Sequence, residues 1–272
     1  MRKFYLNNAN NEQIDLNTLE HFLSSPSGLG MEKKTSYEQV GDYFLTLAED
    51  EKQKAIEGEI FFKTYEEYRK FVRFAEVAPL TLTYVTDDVY YIDVKLDIIK
   101  KTEKKVGGLY CKIKLVGIST FYKKYEMRTT SIESTGKKYN YEYNYEYTNS
   151  QASTVSFEVD SNKNCPTKII IIGPAINPMW TYRLNDNIVA TGKVNKRIAA
   201  GRRLVVDCTT IPYSIYECDN NGDNKEDAYQ YSDFSTERFL MLKKGSNVIR
   251  VSHEGENDLN LVVERRELYA TV

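Results

Sequence analysis

The strongest constraint that the sequence places on the fold is a strict alternation of apolar and polar residues along several segments. The alternation is clearest in two sets, Ile92, Val94, Leu96 and Ile98 against Asp93, Lys95 and Asp97, and Cys111, Ile113 and Leu115 against Lys112 and Lys114. Because successive side chains of a β-strand point to opposite faces, a period of two gathers the apolar residues on one face. Strands of this kind belong to antiparallel sheets with one buried face. The chain is therefore predicted to be rich in antiparallel sheet.

One segment has a helical period instead. Thr64 can accept the backbone N–H of Glu67 while the Glu67 side chain reaches back, which is the pairing of a capping box. The apolar residues that follow recur at intervals of three and four, namely Tyr65, Tyr68, Phe71, Val72 and Ala75. This spacing places them on one helical face, and Pro79 ends the pattern. The sequence therefore predicts one amphipathic helix.

The first half of the chain has the pattern of a sheet that carries this helix. Further strands are predicted for residues 4–6, 13–16, 43–47, 57–62 and 80–84. Residues 24–30 are rich in Ser, Pro and Gly and are predicted to form a loop. We therefore expect an α+β N-terminal domain in which an antiparallel sheet packs on one helix.

The second half consists of short β segments separated by turns. They are predicted for residues 139–147, 155–159, 169–172, 180–184, 188–194, 204–207, 239–242, 248–251, 259–263 and 268–272. In the first of them Tyr139, Tyr141, Tyr143, Tyr145 and Tyr147 alternate with polar residues. Segments 239–242 and 248–251 are predicted to form a hairpin around residues 243–247. Many short strands with frequent turns are typical of an all-β sandwich of jelly-roll type.

A stretch without any period separates the two halves. Residues 127–138 are mostly small and polar, as in a linker or a long crossing loop. The predicted organisation is an N-terminal domain in residues 1–126, a linker in residues 127–138 and a C-terminal domain in residues 139–272.

Composition narrows the classes of protein that the chain can represent. It has 272 residues, 41% of them hydrophobic and 28% charged, which is the balance of a folded, soluble protein. Its net charge of -2 lacks the positive excess that general nucleic-acid binders carry. No apolar run approaches the roughly 20 residues of a membrane span, and residues 1–23 do not resemble a signal peptide. We therefore expect a protein made in the cytoplasm, with no membrane span and no nucleic-acid-specific binding.

Motifs for catalysis or for a cofactor are missing from the sequence. The sequence contains no nucleophile elbow with which His21 or His253 could act as the catalytic base. Both are interpreted as ordinary surface or edge histidines. The four cysteines, Cys111, Cys165, Cys208 and Cys218, are spaced too widely for a zinc site and are predicted to be reduced and mostly buried. An unrecognised carboxylate pair of a hydrolase is the remaining enzymatic alternative. We expect no enzyme, no cofactor and no metal.

Two segments have the residue types of a binding site. Asp219, Asn221 and Asp223 match positions 1, 3 and 5 of a calcium loop, but positions 6 and 12 are Asn224 and Gln230 instead of Gly and Glu, which favours a solvated loop. Trp180 and Tyr182 could form a platform for a sugar. They share a strand face with Leu184, which favours core packing, but a carbohydrate-binding module stays as the alternative function.

The order of these features resembles the distal tail protein family of long-tailed bacteriophages and related tail-like particles. Four motifs carry the resemblance: Gln13-Ile14-Asp15-Leu16, the loop from Pro26 to Met31, the segment Gly173 to Trp180 with its Asn177-Pro178 pair, and the segment from Phe239 to Ile249. The β-α-β-β order of the first half is similar as well.

The resemblance implies a structural protein of the virion. It implies a ring-forming N-terminal belt domain, a hexamer as the expected assembly, and a galectin-like C-terminal sandwich that faces outward. The implied partners are the tail tube protein, a tail-tip or baseplate protein and receptor-binding proteins, and the implied location is the tail tip.

Overall fold

The structure, a computed structural model, describes residues 2–105, 107–129, 152–255 and 259–272. The chain divides into two compact units. The first comprises Met1–Lys123 with Tyr269–Val272, and the second comprises Lys124–Leu268. None of the described helices is long and apolar enough to cross a membrane.

The first part of the chain contains ten strands and one α-helix within the described residues. In chain order they are β1 Lys3–Asn7, β2 Gln13–Asp15, β3 His21–Ser27, β4 Lys33–Val40, β5 Tyr43–Glu51, β6 Ala55–Phe62, α1 Tyr65–Glu76, β7 Leu80–Val85, β8 Val89–Lys100, β9 Leu109–Gly117 and β10 Phe121–Thr129. The main antiparallel sheet of the first unit has the strand order β3-β6-β9-β8-β7-β1-β2. The buried faces of these strands form one core, as the alternating pattern predicted.

Helix α1 begins as the sequence predicted. The Thr64 hydroxyl accepts the amide of Glu67 at 3.2 Å, and the Glu67 carboxylate accepts the amide of Thr64 at 3.2 Å, which closes the capping box. Phe71 and Ala75 are buried, but the helix also buries Phe74, which was not placed on the predicted face. The ring centroids of Phe71 and of Phe62 on β6 lie 5.3 Å apart, so the helix packs against the sheet.

Strand β8 departs from the predicted alternation near its end. The register with β9 shifts between Leu96 and Ile98, which marks a β-bulge. Beyond the bulge the faces exchange, so Ile98 is exposed while Ile99 packs against the core. The prediction that Ile98 faces the core is therefore wrong, because an extra residue inverts the pleat.

The loop predicted for residues 24–30 is partly wrong. Residues 24–27 belong to β3, which pairs with β6 through a register shift between Ser24 and Ser27. Only residues 28–30 leave the strand. Gly28 has φ 81°, and a Cβ there would lie 1.9 Å from the carbonyl oxygen of Ala55. The Ser and Gly residues of this segment therefore form a bulged strand and allow the close approach of Gly28 to Ala55 where the strand ends.

The second part of the chain is almost entirely β structure within the described residues. The strands are β11 Ala152–Val159, β12 Cys165–Ile172, β13 Ala175–Ile176, β14 Met179–Leu184, β15 Asn187–Lys193, β16 Arg197–Ile198, β17 Arg202–Asp207, β18 Ser214–Asp219, β19 Glu226–Asp227, β20 Met241–Leu242, β21 Gly245–Ser252 and β22 Asn260–Tyr269. One sheet of the second unit has the order β19-β18-β17-β12-β22, and another has the order β11-β21-β14-β15.

These two sheets share one hydrophobic core. The first sheet contributes Ile169, Ile171, Leu204, Val206, Ile215 and Leu261, and the second contributes Val155, Trp180, Tyr182, Ile249 and Val251. Burial of both inner faces against each other is what a layered β domain requires. The expectation of a mostly antiparallel β protein with one α-helix is thus confirmed within the described residues.

Two strand connections differ from the sequence predictions. The segments predicted as a hairpin do not pair with each other, because β20 pairs with β12 while β21 pairs with β11 and β14. Residues 243 and 244 therefore cross from one sheet to the other. The two strands predicted for residues 259–263 and 268–272 are one strand, β22, which ends at Tyr269. Strand β18 was not predicted.

Two predictions concern residues that are not described. The tyrosine-rich strand of residues 139–147 lies outside the described residues. The linker of residues 127–138 also lies mostly outside them, although its first three residues end β10. The division into domains at these residues stays a prediction.

Candidate interaction surfaces

The most exposed apolar feature of the described chain is the hairpin of β4 and β5, here called the hairpin arm (residues 33–51). Its strands pair with each other from Lys33–Glu51 to Val40–Tyr43, and neither has another strand partner among the described residues. Gly41, with φ 64°, and Asp42 form the turn between them. Gly favours this left-handed backbone because it has no Cβ.

The hairpin arm exposes apolar side chains on both faces. The exposed set is Tyr37, Val40, Tyr43, Phe44, Leu45 and Leu47. Phe44 and Leu45 are neighbours in one strand and point to opposite faces, yet they are 68% and 53% exposed. An isolated two-stranded hairpin is only marginally stable in water, and a contiguous exposed apolar surface marks an interaction site. The hairpin arm therefore has the composition of a surface that is covered in an assembly.

The root of the hairpin arm is fixed to the first unit. The ammonium group of Lys54 donates to the carbonyl oxygens of Gly30 at 2.5 Å and of Ala270 at 2.7 Å. Lys52 pairs with Glu32 at 2.5 Å, and its amide donates to the Glu32 carbonyl at 2.9 Å. These contacts hold both ends of the arm and the last residues of the chain together.

Trp180 and Tyr182, the candidate glycan contacts, lie in the core of the second unit. Trp180 is 0% and Tyr182 is 1% exposed. A Cβ on Gly192 would come within 2.3 Å of the Trp180 indole, so this glycine leaves the space that the ring occupies. The Tyr182 hydroxyl donates to Asn247 Oδ1 at 2.8 Å, and burial raises its pKa. With both rings enclosed, the structure gives no support for sugar stacking at these residues.

The two histidines occupy different environments. His21 begins edge strand β3 and meets the Phe62 ring edge-on at 5.9 Å between centroids. His253 is buried, so its interpretation as a surface histidine is wrong. The chain folds back after β21, and Nδ1 of His253 accepts the amides of Gly255 at 3.1 Å and Ile176 at 3.3 Å. These contacts give His253 a structural role in closing the turn.

In the segment that resembles a calcium loop, the first carboxylate, that of Asp219, accepts hydrogen bonds from other residues of the same segment. Asp219 Oδ1 accepts the amides of Asn221 and Asp223, each at 2.9 Å, and Oδ2 accepts the side-chain amide of Asn224 at 2.9 Å. Partial burial would raise the pKa of Asp219, but these hydrogen bonds outweigh it and lower the pKa. Within the described ranges, no group of three or more His, Cys, Asp or Glu residues could hold a metal ion. The geometry fits a self-bonded turn between β18 and β19.

The cysteines are buried and free, as the sequence predicted. All four, Cys111, Cys165, Cys208 and Cys218, are enclosed in the cores of the units. Burial raises the pKa of the Cys165 thiol and raises that of Cys208 to about 12. Thiols in such surroundings stay protonated and are poor nucleophiles.

The fold and its surfaces therefore define a layered antiparallel β protein whose most distinctive surface is an exposed apolar arm. Sequence reasoning found strand β5 but missed its partner β4, and with it the hairpin arm. The available signal was the adjacent pair Phe44-Leu45, which breaks the alternation expected of a strand with one buried face.

Comparison with known proteins finds one family model that matches the first part of the chain. Residues 3–118 match the family model described as the distal tail protein, N-terminal domain. This part of the chain is therefore similar to the N-terminal domain of distal tail proteins, which confirms the resemblance seen in the sequence. A comparison with curated proteins gives no match.

Solved structures share the fold over the whole chain. A chain of the phage P2 baseplate in its activated conformation with Ca is 17% identical, with a TM-score of 0.68 and 100% of both chains covered. The same baseplate with Sr gives 17% identity and a TM-score of 0.67, again over 100% of both chains. The SPP1 Dit protein, described as a paradigm of the hub adsorption apparatus in phages that infect Gram-positive hosts, is 10% identical to this chain. The TM-score is 0.59, and 96% of this chain and 98% of that chain are covered.

Proposed function

We propose that this protein is a non-enzymatic structural component of the virion that forms a ring at the phage tail tip. The ring joins the tail tube to the tail-tip or baseplate proteins and to the proteins that recognise the host. The observation that carries the proposal is the hairpin arm, an apolar surface on a domain of the distal tail protein family.

The physical argument for a ring is that the hairpin arm is unlike the surface of an isolated monomer. Its apolar side chains project on both faces. A face-to-face contact with the arm of a second copy would cover only one of these faces. A head-to-tail contact, in which the arm of one copy covers a different surface of the next, closes into a ring when the rotation fits. The family resemblance gives six as the number of copies.

In this proposal the two parts of the chain have different tasks. Residues 1–126 form the belt of the ring and dock on the tail tube protein on one side and a tail-tip protein on the other. Residues 139–272 form a galectin-like sandwich of jelly-roll type that faces outward and carries receptor-binding components. The shared core of the two sheets in the second unit supports the sandwich. The similar structures come from a baseplate and from a hub of an adsorption apparatus, which supports the location at the tail tip.

Size-exclusion chromatography with light scattering tests the ring directly. The purified full chain is expected to elute as a closed oligomer with the mass of six copies, and its mass should not grow further with concentration. A strict monomer at high concentration, in a protein that is also missing from purified particles, would overturn the proposal.

A further inference from the structure

The main sheet of the first unit has one face that points away from its core and is accessible. On β6 and β9 every second side chain lies on this face, and the bulge of β8 turns Ile98 and Lys100 to the same side. Helix α1 packs on the other side, against Phe62. The accessible surface is here called the open face and consists of Glu57, Glu59 and Phe61 of β6, Tyr110, Lys112 and Lys114 of β9, and Ile98 and Lys100 of β8.

The open face combines an aromatic pair with a basic pair. Phe61 and Tyr110 are opposite each other across β6 and β9, their ring centroids lie 5.1 Å apart, and Tyr110 is 41% exposed. Two residues further along β9, Lys112 is directly opposite Lys100 of β8. Like charges in that position repel each other and destabilise a sheet. A carboxylate placed between the two lysines would remove this repulsion.

The basic pair lines a groove of about 420 Å³ together with Ile98. Lys114 in the same groove bonds two carboxylates of the chain. Lys100 and Lys112 form no ion pair in the part of the chain that the structure describes, although Glu59 is the residue opposite Lys112 on β6. The groove therefore offers two ammonium groups beside apolar side chains.

The hairpin arm carries the complementary groups on one of its two faces. Partners across a hairpin share a face, so the pair of Val40 and Tyr43 lies on the same side as the pair of Glu38 and Leu45, two residues away. Among the described residues Glu38 forms no ion pair, since the ion pair within the arm is that of Lys33 at its root. This face of the arm is therefore apolar with one unpaired acid.

The two surfaces also match in spacing. On the arm, the apolar pair that contains Tyr43 lies two residues from the pair that contains Glu38. On the open face, the aromatic pair of Phe61 and Tyr110 lies two residues from Lys112. Two residues along a strand span about 6.7 Å in both cases. An arm with Tyr43 on the aromatic pair can therefore bring Glu38 to the lysines.

We propose that the hairpin arm of one copy lies on the open face of the next copy, with Tyr43 against the aromatic pair and Glu38 between Lys100 and Lys112. The inference rests on the proposed function and names the surface that receives the arm. Both surfaces are exposed in one and the same copy, so the arm does not cover its own open face. A head-to-tail ring needs two different, complementary surfaces on each copy. The opposite face of the arm is left for other contacts in the ring.

Chemical cross-linking between differently tagged copies tests the contact. One copy carries Tyr43→Cys and the other carries Tyr110→Cys, and the two are co-expressed as full chains and purified through both tags. A short bis-maleimide should join them into a covalent pair of two copies. The four native cysteines are buried and should not compete.

The matched control replaces Tyr110→Cys by Arg69→Cys. Arg69 is exposed on helix α1, on the other side of the sheet. Oligomers with Tyr43→Cys and Arg69→Cys should form in the same way but give no cross-link between copies. An equally strong cross-link in the control would overturn the inference.

Charge reversal tests the ionic part of the contact. Lys112→Glu and Glu38→Lys should each raise the protein concentration at half-assembly by about fivefold or more, because each brings like charges together. With both substitutions in one chain the pair is restored in reverse, so that concentration should return to within about twofold of the unchanged protein. Arg69→Glu should have no effect. Thermal melting establishes that each variant is folded.

The failures of the two proposals are distinguishable. A chain that stays monomeric at high concentration contradicts the proposed function. An oligomer that contains both tagged copies but gives no cross-link from Tyr43→Cys to Tyr110→Cys, or a double reversal no better than the single ones, overturns the open face as the receiver of the arm. In purified particles, benzoylphenylalanine at Tyr110 that links to a different virion protein instead of a second copy would also overturn it.

Discussion

At the residue scale, Glu217 is a carboxylate that the second unit buries beside two cations. It lies 2.6 Å from Lys196 Nζ and 2.8 Å from Arg202 Nε. Burial would raise its pKa, but the hydrogen bonds from Lys196 and Arg202 outweigh burial and lower the pKa below the usual value of a glutamate. A lowered pKa in the folded state means that the stabilisation is present above the unfolded pKa and is lost as the pH falls through the folded value.

The removal of this charge should destabilise the second unit at neutral pH. Glu217→Gln removes the ion pair of Lys196 and leaves Arg202 with Glu226 alone, so we expect a loss of roughly 2 kcal/mol. The acid-dependent loss of stability below about pH 4.5 should become smaller. Urea unfolding followed by the fluorescence of Trp180, the single tryptophan, measures both. Glu226→Gln is the control, because Glu226 bonds the same Arg202 but is 63% exposed, and it should cost less than about 1 kcal/mol. Equal effects of the two variants would contradict the argument.

The burial of the thiols gives a second residue-scale prediction. In native protein at pH 8, none of the four cysteines should react readily with Ellman's reagent, because they are enclosed and the pKa of Cys208 is raised to about 12. In urea all four should react. Rapid labelling of any one thiol in folded protein would show that its core opens.

At the element scale, the cap of helix α1 can be tested without a change in its buried face. Thr64→Ala removes the acceptor for the Glu67 amide and should destabilise the helix by about 1 kcal/mol. Thr64→Ser keeps the hydroxyl and should leave the helix near its original stability. Hydrogen exchange of the helix amides, followed by mass spectrometry, is the suitable readout because Trp180 lies in the other unit. Identical exchange in both variants would show that the cap is dispensable.

The hairpin arm gives the second element-scale prediction. Phe44→Asp and Leu45→Asp place charges on its two faces and should disrupt the oligomer, while the first unit keeps its fold because neither side chain belongs to its core. The control is Leu19→Asp, a substitution at a residue of the same unit that is 90% exposed, and it should leave the oligomer intact. Light scattering and circular dichroism measure assembly and fold. Intact oligomers with both arm substitutions would exclude the arm from the interface.

The elements also show what a sequence can predict. The capping box and the alternation in β9 are local, so Thr64, Cys111 and Leu115 could be placed from spacing alone. The bulge that exposes Ile98 and the crossing from β20 to β21 depend on partner strands far along the chain. Periodicity carries no information about such partners, and these predictions failed.

At the scale of the whole molecule, the resemblance to a known family was recognised from the order of the elements and from loose motifs. No reactive group contributed to it. The residues that looked chemical, Trp180, Tyr182 and Asp219, have structural contacts. The surface that distinguishes the molecule, the hairpin arm, is assembled from residues whose exposure only the fold reveals. The function of a contact protein is therefore harder to derive from sequence than that of an enzyme with a compact motif.

The proposed function makes this chain part of a ring at the tail tip that acts by contact with other proteins. Electron microscopy of purified particles, labelled with gold-conjugated antibodies against this chain, tests it most directly. A protein of the tail-tip ring should give label that is confined to the tip end of the tail. Label along the tail shaft or on the head, or intact particles without any label, would contradict it.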